Sequence, residues 1–120
     1  MAPLTDPDTL KAFREALREW RCDGYVVWKR RAGEWLAKNL DDVDQRTVSR
    51  MMQEHVESGG KIDQVVEKRE EWRNKYEYHY DVRFSFFGRR IYIETVLDVS
   101  RTGPTITVVN MHDECKHRFP

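Results

Sequence analysis

Two hydrophobic periods divide this chain. Up to about Trp72 the apolar residues recur every three or four positions, as on one face of a helix, and from Tyr76 they recur every second position, as on one face of a strand. Leu10, Phe13, Leu17 and Trp20 form the first helical stripe. Asp6-Pro7-Asp8 in front of it supplies a side-chain cap, a proline in the first turn and acidic groups at the positive end of the dipole. This helix is expected to end near Cys22-Asp23-Gly24. Trp28, Ala32, Trp35, Leu36 and Leu40 mark a second helix, which Gly33 weakens by about 1 kcal/mol relative to alanine. Asp44 caps a third, with Val48, Met51, Met52, His55 and Val56 on its apolar face and Ser58-Gly59-Gly60 as its stop. Ile62, Val65, Val66 and Trp72 then fit a fourth helix, whose Glu67, Lys68, Arg69, Glu70, Glu71 and Arg73 read as solvated surface charge.

In the C-terminal part Tyr76, Tyr78, Tyr80, Val82, Phe84 and Phe86 alternate with Glu77, His79, Asp81, Arg83 and Ser85. Gly88-Arg89 suits a two-residue hairpin turn with Phe87 opposite Arg90. That turn places Phe84 opposite Ile93, Phe86 opposite Ile91, Ser85 opposite Tyr92 and Arg83 opposite Glu94. Ser100-Arg101-Thr102-Gly103-Pro104 is a second turn, and Thr105–Met111 a β-branched third strand. The expected fold class is therefore α+β, with about four N-terminal helices followed by a three-stranded antiparallel sheet. A single domain over residues 1–120 is expected, with 1–7 and 113–120 loose and with Trp35, Met52, Trp72, Phe84 and Ile93 in the core.

Composition narrows the function classes. Lys and Arg number 21 and Asp and Glu number 21, so the formal net charge is zero. A dedicated nucleic-acid binder normally carries a basic surplus to replace phosphate counterions. The candidates for a local basic patch are Lys29-Arg30-Arg31 and Arg89-Arg90, which also read as ordinary surface charge. No apolar run reaches the roughly 20 residues of a membrane span and no secretory leader pattern opens the chain, so a cytoplasmic location is expected. Cys22 and Cys115 stand apart and are expected as reduced thiols. No P-loop, Rossmann glycine pattern, Gly-x-Ser-x-Gly or His-Glu-x-x-His occurs, and no cofactor is expected. His112, Cys115 and His117 could be read as a metal cluster with His79, but the spacing is short and a fourth ligand is unassigned, so no metal site is expected either.

The polar face of the hairpin concentrates the chemistry. His79, Asp81, Arg83, Tyr92 and Glu94 share it, and Asn110 and His112 join them if the third strand has a suitable register. This set contains what phosphodiester cleavage of RNA requires: a carboxylate or His as base for the 2′-hydroxyl, a cation for the phosphorane oxygens and an acid for the leaving oxygen. An exposed sheet face is polar in any case, and Arg83 across from Glu94 is equally an ordinary ion pair.

Tyr80-Asp81-Val82-Arg83, Gly88, Ile91-Tyr92-Ile93-Glu94-Thr95 and Ile106-Thr107-Val108-Val109-Asn110-Met111-His112 together resemble the C-terminal strands of MqsR-type ribonuclease toxins. These belong to the RelE-like, barnase-related group, in which helices precede a small antiparallel sheet whose face cuts mRNA without metal. The resemblance covers about a third of the chain. It implies that Tyr92 fills the strand tyrosine of the family, that His79 or Tyr80 is the polar residue early in the first strand, and that His112 stands where the family has a catalytic lysine. The expectation is a ribonuclease-like domain with RNA as partner, Glu94 or His79 as base, Arg83 on the phosphate, Tyr92 orienting the substrate and His112 as acid. The alternative is a non-catalytic interaction module that binds a protein, such as an antitoxin, an immunity partner or a second copy of itself. Zero net charge favours that alternative.

Overall fold

Local chemistry sets the first and third helices. The computed structural model describes residues 2–86 and 88–113. The Asp6 carboxylate accepts from the Thr9 backbone N–H at 2.9 Å, and helix α1 runs over Pro7–Arg18. Asp44 caps α3 (Gln45–Glu57) in the same way, accepting from the Thr47 N–H at 2.8 Å. Helix α2 spans Arg30–Asn39, and α4 is one turn at Glu70–Arg73.

The strands are β1 (Ala2–Pro3), β2 (Val26–Trp28), β3 (Ile62–Val66), β4 (Tyr78–Phe86), β5 (Arg89–Ser100) and β6 (Gly103–Asp113). They form one sheet in the order β1-β3-β4-β5-β6-β2, antiparallel except for the parallel pair β6 and β2. This corrects the expected three-stranded antiparallel sheet after four helices. Ile62–Val66 is a strand, because its backbone pairs with β4 at Ile62↔Val82 through Val66↔Tyr78. Its apolar spacing at 62, 65 and 66 fits a helix equally well, and only the neighbouring strand decides between them. Trp28 likewise lies in β2, which lines up beside β6, so α2 begins after it. Ala2 and Pro3, in the stretch expected to be loose, pair with β3, and Leu4 is buried. Asp113 ends β6, and residues 114–120 lie outside the described residues.

The hairpin register also differs from expectation. Arg83 is opposite Tyr92, Asp81 opposite Glu94, Phe84 opposite Ile91 and Val82 opposite Ile93. Every pair is displaced by two residues, because Arg89 already pairs with Phe86 and so belongs to the strand, with Gly88 at φ +81° before it, rather than to a Gly88-Arg89 turn. A two-residue slip preserves the side-chain parity of a strand, so the division into faces survives.

One face carries the main core. Phe13, Leu17, Ala32, Leu36, Val48, Met52 and Val56 from α1, α2 and α3 pack against Tyr80, Val82, Phe84, Ile91, Ile93, Ile106, Val108 and Met111. Met52, Phe84 and Ile93 are buried as expected, whereas Trp35 and Trp72 are only half-buried. Along β6 the pairs Glu94↔Asn110 and Thr95↔Val108 skip Val109, a bulge that changes the parity of the strand. It lets Ile106, Val108 and Met111 all reach the main core while Val109 joins Trp72, Tyr76 and Val96 in a small cluster on the opposite face. That cluster anchors the α4 segment over part of the second face and leaves the remainder open.

Candidate functional site

The open remainder of that face holds a pocket of about 410 Å³, lined by residues of β3, β4 and β5 and of the segment leading into α4. Alternation on β4 sends His79, Asp81 and Arg83 to it, and pairing on β5 brings in Tyr92 and Glu94. The β6 register then sets His112 opposite Tyr92 and Asn110 opposite Glu94. All five residues singled out from the sequence, His79, Arg83, Tyr92, Glu94 and His112, therefore share one surface.

Apart from His79, they lie in two cross-strand rows. In the first, the Tyr92 ring is flanked by the Arg83 guanidinium, 4.6 Å from its centroid, and by the His112 ring, stacked at 4.5 Å and 24°. In the second, Asp63, Asp81 and Glu94 stand directly opposite one another on β3, β4 and β5, with Asn110 at the end. Like charges so placed repel, and the fold surrounds them with donors. Arg83 hydrogen-bonds Asp63, and the Lys61 ammonium lies 3.3 Å from the other Asp63 oxygen without making a hydrogen bond to it. Arg69 reaches over the sheet to Glu94 at 3.0 Å while gripping Glu67 through Nε and Nη2, each at 2.9 Å. The expected Arg83–Glu94 pair is thus replaced by Arg83–Asp63 and Arg69–Glu94, a direct result of the shifted register and of β3 being a strand.

Asp81 is almost wholly buried in the site, with a side chain 2 % exposed. One oxygen accepts from His79 Nδ1 at 2.9 Å and the other from the Tyr92 hydroxyl at 2.5 Å. The hydrogen bond to Asp81 raises the His79 pKa above its ordinary value against the opposing effect of burial, and the charges of Asp81, Glu67 and Glu94 add to the rise. Burial, followed by the bond to Asp81, holds the Tyr92 phenol far above its usual range, so it stays a hydrogen-bond donor. The Arg69 hydrogen bonds hold the Glu67 carboxyl below its ordinary value. On the far side of the pocket His112 Nε2 lies 3.9 Å from a Glu94 oxygen.

Arg69, Glu67 and Asp63 were not legible as site residues. Glu67 and Arg69 sit in what the sequence presents as the solvated face of a helix, Asp63 lies in the same expected helix, and the only hint is their proximity in the chain to the alternating segment. Among the described residues no group of three or more His, Cys, Asp or Glu is placed to hold a metal ion. Cys115 and His117 lie outside the described residues, and Cys22 is an exposed free thiol. His55 is half-buried, its Nε2 3.0 Å from the Lys61 carbonyl, and takes no part in the site. Of the basic clusters, Arg89 is engaged by Asp113 and by the Asn39 carbonyl, and Arg30 by Glu34. No described helix is long and apolar enough to cross a membrane. Comparison with protein families, curated proteins and solved structures finds no match to this chain.

Proposed function

We propose that the open sheet face is a metal-independent ribonuclease site of the RelE-like kind. The observation that carries this reading is the convergence of carboxylates, the His79 imidazole and two guanidinium groups around one open pocket large enough for a nucleotide unit, with the His112 imidazole 3.9 Å from Glu94 beside it. Glu94 takes the proton of the ribose 2′-hydroxyl as its oxygen attacks the adjacent phosphorus. Arg83 and Arg69 stabilise the charge that builds on the non-bridging oxygens. His112, in its protonated form, returns a proton to the departing 5′-oxygen, and a 2′,3′-cyclic phosphate remains. Tyr92, held on both sides, aligns Arg83 and His112 across the three strands.

A second reading has an observation of its own. Glu67, Asp81 and Glu94 balance Lys68, Arg69 and Arg83 among the pocket residues, and both arginines already bind carboxylates. Such self-neutralisation suits a non-catalytic surface that binds another protein through charged contacts.

One experiment separates them. Purified protein is incubated with single-stranded RNA in excess chelator, and the products are examined for 2′,3′-cyclic phosphate or its 3′-phosphate hydrolysis product. Removing one proton-transfer group typically costs 10²–10⁴ in rate, so His112→Ala and Glu94→Ala should each slow cleavage by about that factor. No cleavage above buffer, or cleavage indifferent to both changes, would exclude the enzyme and leave the interaction surface.

A further inference from the structure

Besides Lys68, which is exposed, the pocket contains cations of two kinds. Each nitrogen of the Arg69 guanidinium already donates to a carboxylate, and Arg83 is bound by Asp63 and stacked on Tyr92. His79 is different. Its Nδ1 is taken by Asp81, which fixes the ring with that nitrogen protonated, while no described residue engages Nε2. The ring lines the pocket with its side chain 13 % exposed, so Nε2 is the polar atom left to a ligand.

We propose that His79 Nε2 is the primary phosphate-binding donor of this pocket and that Asp81 is the residue that sets it. The ligand class is a phosphodiester oxygen of a nucleic-acid backbone. The proposal rests on the nucleic-acid reading above, and it moves His79 from the role of base to that of a bound cation. Three features support it. Asp81 and His79 are two apart on β4 and therefore point to the same face. Asp81 is itself clamped by the Tyr92 hydroxyl, so the ring is held by a fixed acceptor, as a carboxylate behind a functional histidine fixes its tautomer and orientation. The remaining charges lining the pocket cancel, three against three, so protonated His79 supplies the surplus positive charge that an anion would meet.

The titratable and charged groups that share the pocket with His79 are Asp81 and Arg83 on its own strand, Glu67, Lys68 and Arg69 from the segment before α4, and Tyr92 and Glu94 on β5; the uncharged Val65 lies opposite it on β3. The hydrogen bond to Asp81 and the charges of Asp81, Glu67 and Glu94 favour the imidazolium against the opposing effect of burial. Phosphodiester binding should therefore be strong at acidic pH and weaken as pH rises through the His79 titration, which lies above the ordinary histidine value.

The test uses a 2′-deoxydinucleotide, which has no 2′-hydroxyl to react and whose phosphodiester keeps one charge across the pH range. Titration is followed by ¹H–¹⁵N NMR of the histidine side chains in the full chain. The expected result is a shift of His79 Nε2 on binding, with Nδ1 protonated throughout. One pH unit above the His79 midpoint only about a tenth of the molecules carry the imidazolium, so the apparent affinity should fall about tenfold there. His79→Gln should weaken binding at acidic pH at least tenfold, and Asp81→Asn should lower the His79 midpoint toward the ordinary value. An unperturbed Nε2, no binding at millimolar probe, or an affinity flat across the midpoint would overturn the proposal with no variant needed. Binding at His79 without RNA cleavage would sink the ribonuclease reading and leave this site standing. Cleavage of RNA with His79 unperturbed would do the reverse.

Discussion

Replacing Arg69 by methionine tests the clamp that closes the pocket from above. The guanidinium holds Glu67 through two 2.9 Å hydrogen bonds and Glu94 through one of 3.0 Å. Glu67 is almost wholly enclosed, its side chain 1 % exposed, and Glu94 is 16 % exposed. Removing one partner of a buried pair costs about 3–5 kcal/mol, because the other charge stays behind. The Glu67 carboxylate keeps the Arg69 backbone N–H at 3.0 Å as a donor, and Arg69 is itself 34 % exposed, so water takes over part of its role. Discounting for that access gives about 2–3 kcal/mol. Arg50 with Glu54 provides the contrast, an exposed pair at 4.0 Å whose loss should cost less than about 0.5 kcal/mol.

Urea titrations of Arg69→Met and Arg50→Met at neutral pH would measure both. The pH dependence supplies an independent check. Glu67 has a lowered pKa in the folded state, so its contribution is full above the unfolded carboxylate value of about 4.3 and is lost as pH falls through the folded value. The gap between wild type and Arg69→Met should therefore narrow below about pH 4. A cost for Arg69→Met no larger than that for Arg50→Met, or a gap that persists unchanged at pH 3, would refute the reasoning.

Two further substitutions probe the frame that carries the site. Phe84→Ala should cost about 3–5 kcal/mol in a denaturant titration, since the ring is 9 % exposed and packs beside His55 at 5.9 Å; a loss under about 1 kcal/mol would contradict the assignment of that face to the core. Gly60→Ala should cost about 1–3 kcal/mol by overpacking, because a Cβ there would lie 2.4 Å from the His55 carbonyl and 2.5 Å from its ring; an unchanged melting temperature would contradict that contact.

The sequence alone determined which side chains share a face. Alternation from Tyr78 to Phe86 commits His79, Asp81 and Arg83 to one side of β4 whatever lies next to it, because the pleat has a period of two. The same parity commits Tyr92 and Glu94 on β5, and it survived a register error of two residues. The caps at Asp6 and Asp44 were equally local, since each closes on a residue three positions away. Tertiary structure decided the partners. Strands of two, three and five residues carry too little pattern to declare themselves, and β1, β2 and β3 exist because β3, β6 and β4 present backbone donors and acceptors to them. The β6 bulge, invisible in a β-branched run, decided that Met111 meets the core and that His112 meets Tyr92. Charge pairing followed from these neighbours. Arg83 binds Asp63 because β3 lies beside β4, and Arg69 binds Glu94 because Trp72 and Tyr76 anchor its segment over the sheet. An ion pair is set by which backbones lie side by side, and that is a property of the assembled sheet rather than of any one stretch of chain.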